Sequence, residues 1–251
     1  ERYYVPGGKM PETHYKTTPA YTIHPPRFLD QLTAIANFVE VFLAKEEHAG
    51  RVGINLLEKV QLPNLASLYG AMLAGVDFVL MGAGIPTQIA GVLDKLANHQ
   101  PVTYRLDVHG AAPDDDHRIR FDPEKIFPGI SQIIAKLKRP KFFPIISSVV
   151  LAKALLKRSE GQIDGFVIEG PTAGGHNAPP RGQLNLNEKG EPLYGEKDAV
   201  DLEKMKQLGL PFWLAGGYGH PEQLQKALEA GAAGIQVGTA FALCDESGLA
   251  P

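Results

Sequence analysis

Hydrophobic residues recur along the chain in two patterns that alternate with each other. Apolar residues at helical spacing predict helices over 28–45, 65–74, 87–98, 149–157, 199–208 and 221–230. Between them, short runs rich in β-branched and aromatic residues predict strands at 51–57, 76–81, 102–108, 142–148, 166–168, 211–215 and 233–237. Thr87 is expected to cap the third helix, and the polar segment 111–123 is expected to be a surface loop. Strands that alternate with helices indicate parallel β/α units.

Small and polar residues follow the carboxyl ends of most predicted strands. They are Asn55, 82–84, 147–148, 169–176, 216–217 and 238–239. A (β/α)8 barrel builds its active site from those positions. A doubly wound sheet also binds its ligand there, but it usually concentrates glycines in the first β/α turn, whereas here they recur across the second half of the chain. The sequence therefore favours an α/β fold of the (β/α)8 TIM-barrel type.

The predicted strands are too few for a closed barrel. About seven are predicted, and the strand at 102–108 falls in a segment, about 102–128, that resembles an insertion. We therefore expect a single domain over residues 1–251, part of a longer chain, that forms an incomplete barrel because its N-terminal strands are missing.

Composition narrows the class of protein. With 251 residues, 44% of them hydrophobic, the chain can bury one large core. A net charge of −3 gives no reason to expect nucleic acid or an anionic membrane as a partner. The one cysteine, Cys244, excludes an intrachain disulfide, fits a cytoplasmic location and is expected to be a small core residue. No apolar run approaches the roughly 20 residues that span a bilayer.

Two glycine motifs end the last two predicted strands. The first is Gly216-Gly217, and the second is Gln236-Val237-Gly238-Thr239. Loops after the seventh and eighth strands of a barrel commonly hold a phosphate on backbone N–H groups. Ordinary tight turns could also use these glycines. Because the two motifs follow consecutive strands, phosphate binding is favoured over that alternative.

A third motif, Gly174-Gly175-His176, follows the strand that ends near Glu169. Paired glycines let a backbone approach a flat or phosphorylated ligand, and a histidine can move a proton near neutral pH. A histidine in a loop is often only a solvated surface residue. Here the surrounding loop is made of small residues, so a catalytic or substrate-contacting role is favoured for His176. Glu169 could be a base, a ligand anchor or a buried hydrogen-bonding group.

Other chemistries have weaker support. The run of aspartates and histidines over 107–117 lacks a recognised metal-ligand spacing, so a solvated loop is favoured there. Ser147 and Ser148 have no convincing base partner in the sequence, and neither a Walker motif nor a Gly-x-Ser-x-Gly elbow is present. An aldolase or phosphosugar isomerase would need a lysine at a strand end, and the predicted strands show none.

The motifs at 169–176, 215–218 and 236–241 together resemble the nitronate monooxygenases, formerly called 2-nitropropane dioxygenases. Residues 53–56 are similar to that family's third barrel strand. The resemblance implies an FMN-dependent barrel enzyme that oxidises alkyl nitronates with O2 to a carbonyl compound and nitrite. The flavin would carry the redox chemistry, and the protein would supply position and electrostatics.

The resemblance also implies roles for individual residues. His176 would lie over the flavin, where it would bind substrate or remove its α-proton. Glu169 stands where the family typically has Gln, and Thr172 where it usually has Glu. The residues expected to bind FMN are Asn55, Glu169, Gly174, Gly175, Gly216, Gly217, Gln236, Val237, Gly238 and Thr239.

The expected partners are O2 and a small molecule, either an alkyl nitronate or a nitroalkane, without nucleic acid or membrane. A homodimer is one assembly compatible with this interpretation. Two alternatives stay open: an enoyl-thioester reductase that uses NAD(P)H and FMN, and a flavin- or phosphate-binding module without turnover.

Overall fold

In this computed structural model, residue 14 and residues 16–112, 114–174 and 178–249 are described. Within them the strands are β1 (Gly53–Leu57), β2 (Phe78–Gly82), β3 (Val102–Arg105), β4 (Arg118–Phe121), β5 (Lys141–Ile146), β6 (Phe166–Glu169), β7 (Phe212–Ala215) and β8 (Gly234–Gln236). The α-helices are α1 (Arg27–Ala44), α2 (Asn64–Leu73), α3 (Ile89–Leu96), α4 (Pro123–Ile126), α5 (Ile130–Ile133), α6 (Val149–Arg158), α7 (Leu202–Lys206), α8 (Pro221–Glu229) and α9 (Thr239–Ala242).

Six of these strands form one parallel sheet in the order β1-β2-β5-β6-β7-β8. The sheet is curled, and its concave face encloses a space of about 520 Å³ lined by residues from all six strands. The main hydrophobic core lies on the convex side, between the sheet and the helices that connect its strands. The predicted fold, an incomplete (β/α)8 barrel, is confirmed.

The central strands are buried on both faces, as strands in parallel sheets usually are. Phe142 and Phe166 are fully buried on the helix side, while Phe143 and Val167 are buried on the concave side. On the concave side the ring of Phe143 packs against Trp213, with centroids 4.7 Å apart. Continuous apolar runs were therefore a sound signal for these strands, because both faces need apolar side chains.

Strands β3 and β4 form a separate antiparallel hairpin between α3 and β5. The prediction of a surface loop over 111–123 is wrong at its end, because 118–121 is strand β4. This strand alternates exposed arginines with the buried residues Ile119 and Phe121, a pattern of only four residues within a polar stretch.

The predicted cap of the third helix is also wrong. Helix α3 begins at Ile89, and the residue before it is Gln88. The Gln88 side chain binds the backbone of Arg105 in both directions, at 2.9 and 3.0 Å. Thr87 instead closes a turn by donating its N–H to the carbonyl of Ile85. The helix start is thus fixed by the hairpin, a contact that local sequence does not reveal.

Asp77 joins three segments just before β2. Its carboxylate pairs with Lys45 at 2.7 Å, Lys138 at 2.8 Å and Arg51 at 3.3 Å, and its side chain is only 6% exposed. These cations lower the pKa of Asp77 well below its usual range. The network lies at the end of the sheet opposite the strand carboxyl ends, so it supports the fold rather than the site.

The predicted core position of Cys244 is wrong, because the residue is only half-buried and its thiol donates to the carbonyl of Phe241. Among the residues that the structure describes, no helix is long and apolar enough to cross a membrane.

Candidate functional site

The loops after β6, β7 and β8 enclose a cavity of about 640 Å³, here called the glycine cavity. Its volume lies within the range of about 300–1,000 Å³ that is usual for small-molecule sites. The three strands are neighbours, and Glu169, Ala215 and Gln236 are aligned across them. The predicted site residues that line the cavity are Glu169, Gly174, Gly216, Gly217, Gln236, Val237, Gly238 and Thr239.

Gly216 and Gly217 shape one wall of this cavity. Both have positive φ, +105° and +74°, which a residue with a side chain rarely adopts. A Cβ on Gly216 would also come within 2.8 Å of the backbone nitrogen of Ala173 and 3.0 Å of the Thr172 hydroxyl. Glycine is therefore needed for the turn after β7 to pack against the loop after β6.

Gly238 differs, because a Cβ there would meet no atom of the described residues within 4 Å. The residue lines the cavity, so an added side chain would occupy open space instead of displacing protein.

Several polar groups of this wall have no acceptor or donor within the described part of the chain. The N–H groups of Gly216, Gly217, Gly238 and Thr239 take part in none of its hydrogen bonds. The side-chain oxygen of Gln236 is buried and also lacks a partner among the described residues. A buried side-chain oxygen such as that of Gln236 is normally satisfied, and successive N–H groups without a protein partner form concave sites for anions. The arrangement suits a ligand with an anionic group and a hydrogen-bond donor.

Glu169 lies where the glycine cavity meets its neighbour. It is half-buried at the end of β6, and burial raises the pKa of its carboxyl group. Tyr218, which also lines the glycine cavity, has its pKa raised by burial as well. These groups hold their protons more readily than they would in water.

Two other predicted residues, Gly175 and His176, lie outside the described residues. The residues on either side, Gly174 and Ala178, each line a cavity at this end of the sheet.

The structure does not bring Asn55 to the glycine cavity. Asn55 is an exposed residue of β1, and β1 and β8 lie at opposite edges of the six-stranded sheet. A role for Asn55 in binding FMN remains a prediction.

A second cavity, of about 230 Å³, lies at the carboxyl ends of β1, β2, β5 and β6. We call it the lysine cavity, because it is lined by Lys59 as well as by Glu169, which it shares with the glycine cavity. The expectation that no lysine stands at a strand end is wrong, since Lys59 follows the end of β1 by two residues. The position of Lys59, two residues after the apolar run of the predicted strand, could have indicated this from the sequence. The cavity that Lys59 lines could not be predicted in that way.

The loop after β6 is held over these strand ends by Arg181. Its guanidinium donates to the carbonyls of Ser147 and Lys197, at 2.7 and 2.6 Å. Its backbone N–H donates to Asp198 at 2.7 Å. Both ends of the segment 181–198 are thereby held near Ser147, which lines the lysine cavity.

Comparison with known proteins supports a family assignment for the part of the chain that carries the glycine cavity. A family model described as nitronate monooxygenase matches residues 130–251. A probable nitronate monooxygenase of Bacillus subtilis is 34% identical over 118 residues, which cover 47% of this chain and 32% of that protein.

Two further comparisons extend beyond that segment. A (3aS,4S,5R,7aS)-5-hydroxy-7a-methyl-1-oxo-octahydro-1H-indene-4-carboxyl-CoA dehydrogenase of Rhodococcus jostii is 28% identical over 169 residues, covering 64% of this chain and 43% of the relative. The solved structure of a FabK mutant from Thermotoga maritima aligns with a TM-score of 0.51 at 17% identity, covering 87% of this chain and 60% of that one. At this identity the likeness concerns the fold alone.

The chain spans less than half the length of these curated relatives. The matched segment nevertheless contains β5 to β8 and every residue that lines the glycine cavity. The resemblance inferred from the motifs is confirmed: residues 130–251 match the nitronate monooxygenase family model, and curated probable nitronate monooxygenases are similar to the same part of the chain.

Proposed function

We propose that this protein is an FMN-dependent oxidoreductase that oxidises alkyl nitronates with O2, giving a carbonyl compound and nitrite. The observation that carries the proposal is the glycine cavity, with its free N–H groups and the buried Gln236 oxygen. The match of the same segment to the nitronate monooxygenase family model also supports it.

The residues of the cavity fit FMN. Free N–H groups in the turns after β7 and β8 are suited to a phosphate, and the placement agrees with phosphate sites of other barrels. The unpartnered oxygen of Gln236 is an acceptor for an N–H group such as the one the flavin ring presents. Gly216 and Gly217 leave the wall free of side chains, so a flat ring can approach the backbone. Bound FMN would supply the redox chemistry.

Two side chains are assigned to the substrate. His176 follows the cavity residue Gly174 in the same loop, and a histidine there could accept the α-proton of a nitroalkane or hold a nitronate. Glu169 lies between the two cavities with its pKa raised by burial. A carboxyl group with a raised pKa is protonated more readily, and its protonated form repels an anionic substrate less than a carboxylate does.

The proposal is tested by O2 consumption and nitrite release when the FMN-loaded protein meets an alkyl nitronate. We expect both in stoichiometric amounts, and we expect His176→Ala to lower turnover at least about a hundredfold while FMN stays bound. His109→Ala is the control, because His109 is an exposed loop residue outside both cavities.

Rapid anaerobic bleaching of the flavin by NADH or NADPH, without nitronate oxidation, would instead favour a nicotinamide-dependent reductase. FMN binding without turnover of either kind would favour a binding module. Unchanged turnover in His176→Ala would remove His176 from the mechanism.

A further inference from the structure

The lysine cavity combines one cation with an apolar wall. Ile145, Ile146 and Leu151 supply apolar surface, and Lys59 supplies positive charge. Glu169 is the other ionisable residue of its lining, and the cavity reaches the glycine cavity through it. A ligand in the lysine cavity would therefore lie beside whatever the glycine cavity holds.

Lys59 is an exposed lysine that lines this cavity. Among the described residues it forms no ion pair, whereas Lys45 and Lys138 are both paired with Asp77. Its ammonium group can therefore bind a ligand without losing an ion pair within the described structure.

The turn that carries Lys59 is held in place on both sides. The N–H of Glu58 donates to the carbonyl of Gly82 at 2.8 Å, and the N–H of Val60 donates to Leu57 at 3.2 Å. Any side chain at Gly84 would overlap the carboxylate of Glu58, so this loop packs tightly against the turn.

The β3–β4 hairpin completes this support. Glu58 is only 5% exposed, and its carboxylate accepts a 2.5 Å hydrogen bond from the hydroxyl of Tyr104, a buried residue of β3. Burial and the neighbouring Glu58 both raise the pKa of Tyr104, so its hydroxyl keeps its proton and remains a donor. The hairpin thereby fixes the residue that precedes Lys59.

We propose that Lys59 recognises the negatively charged head of the substrate, and that Glu58 and Tyr104 position it. The preferred substrate is then a small alkyl anion whose carbon chain lies along Ile145, Ile146 and Leu151. This inference rests on the proposed nitronate oxidation, because it assigns Lys59 as the cation that binds the negative charge of the nitronate substrate.

The test compares Lys59→Met with the parent protein, both loaded with FMN. For the nitronate of nitroethane, we expect KM to rise at least about tenfold with kcat within about twofold, because one charge-assisted contact is lost. For neutral nitroethane we expect KM to be unchanged. Lys153→Met is the matched control, because Lys153 is an exposed lysine of α6 that lines neither cavity.

A second measurement does not depend on turnover. Inorganic nitrate is a planar anion that cannot react in this way, and its binding can be followed through the flavin difference spectrum. We expect nitrate to bind at least about tenfold more weakly to Lys59→Met than to the parent or to Lys153→Met.

Tyr104→Phe tests the positioning role. It should raise KM for the nitronate by a smaller factor, about threefold, and leave both kcat and the KM for nitroethane unchanged. If Tyr104 had only a structural role, the KM values for the nitronate and for nitroethane would instead change together.

Equal nitrate affinity and equal nitronate KM in Lys59→Met and the parent would overturn the inference while leaving nitronate oxidation intact. A parent protein that binds nitrate through Lys59 but does not oxidise nitronates would overturn the proposed function and keep the anion site. Absence of both would overturn both.

Discussion

Replacing Gly216 by alanine should destabilise the protein because it strains one turn and crowds the neighbouring loop. Alanine would have to adopt a φ near +105°, which costs about 1–3 kcal/mol. Its Cβ would also stand 2.8 Å from the nitrogen of Ala173 and 3.0 Å from the Thr172 hydroxyl, and such overpacking typically costs about 1–3 kcal/mol. Together these effects should lower the free energy of unfolding by about 2–6 kcal/mol, a large share of the usual total of about 5–15 kcal/mol.

Urea unfolding followed by tryptophan fluorescence measures this effect. The chain has a single tryptophan, Trp213, which lies in β7 three residues before Gly216. We expect a lower unfolding midpoint at an unchanged slope, because the mutation should strain the folded state without changing the surface exposed on unfolding.

Gly219→Ala provides the control within the same turn. Gly219 does not have positive φ, and a Cβ there would meet Ala240 and Val237 only at ordinary distances of 3.7 and 3.8 Å. The two variants should therefore differ by at least about 1.5 kcal/mol. Equal stability of Gly216→Ala, Gly219→Ala and the parent would refute the argument that the turn requires glycine.

Two further predictions concern charged groups. Asp77→Asn should lower the free energy of unfolding at pH 7 by about 2–4 kcal/mol, because three cations lose their buried carboxylate partner. The lower end of this range reflects the solvent exposure of the cations, which weakens each ion pair. Folding lowers the pKa of Asp77, so the difference in free energy of unfolding between the parent and Asp77→Asn should be at its maximum above about pH 5 and should decrease as the pH falls below about 4. A difference in urea titrations that does not depend on pH would contradict this. Arg181→Gln should speed proteolytic cleavage within 181–198 while the unfolding midpoint changes little, since Arg181 anchors that loop. Cleavage at the parent rate would show that the anchor is dispensable, and Asp116→Asn, at an exposed pair, serves as the control for both.

Much of the fold could be predicted because strands that are buried in a parallel sheet correspond to continuous apolar runs in the sequence. Strands β5 to β8 and the helices between them fall close to their expected places for this reason. Strand β4 could not be recognised in the same way, since only Ile119 and Phe121 of its four residues are buried. Its identity as a strand depends on pairing with β3, which is a tertiary contact.

The candidate site was predictable where it consists of glycines at strand ends. Adjacent parallel strands bring their carboxyl ends together, so Gly216, Gly217 and Gly238 had to meet once the strands were placed. The contact between Gly216 and the loop at Thr172 was not predictable, because it depends on how two loops pack. The same holds for Lys59, whose environment depends on the hairpin through Tyr104.

Titration of the purified protein with FMN is the decisive measurement, because we propose that the cofactor binds in the glycine cavity. We expect one FMN to bind per chain, seen as quenching of flavin fluorescence. Gly238→Val should keep the parent's unfolding midpoint yet bind FMN at least about tenfold more weakly, because the new side chain would fill open space in the cavity. Failure of the parent protein to bind FMN, or full FMN binding by Gly238→Val, would contradict the account.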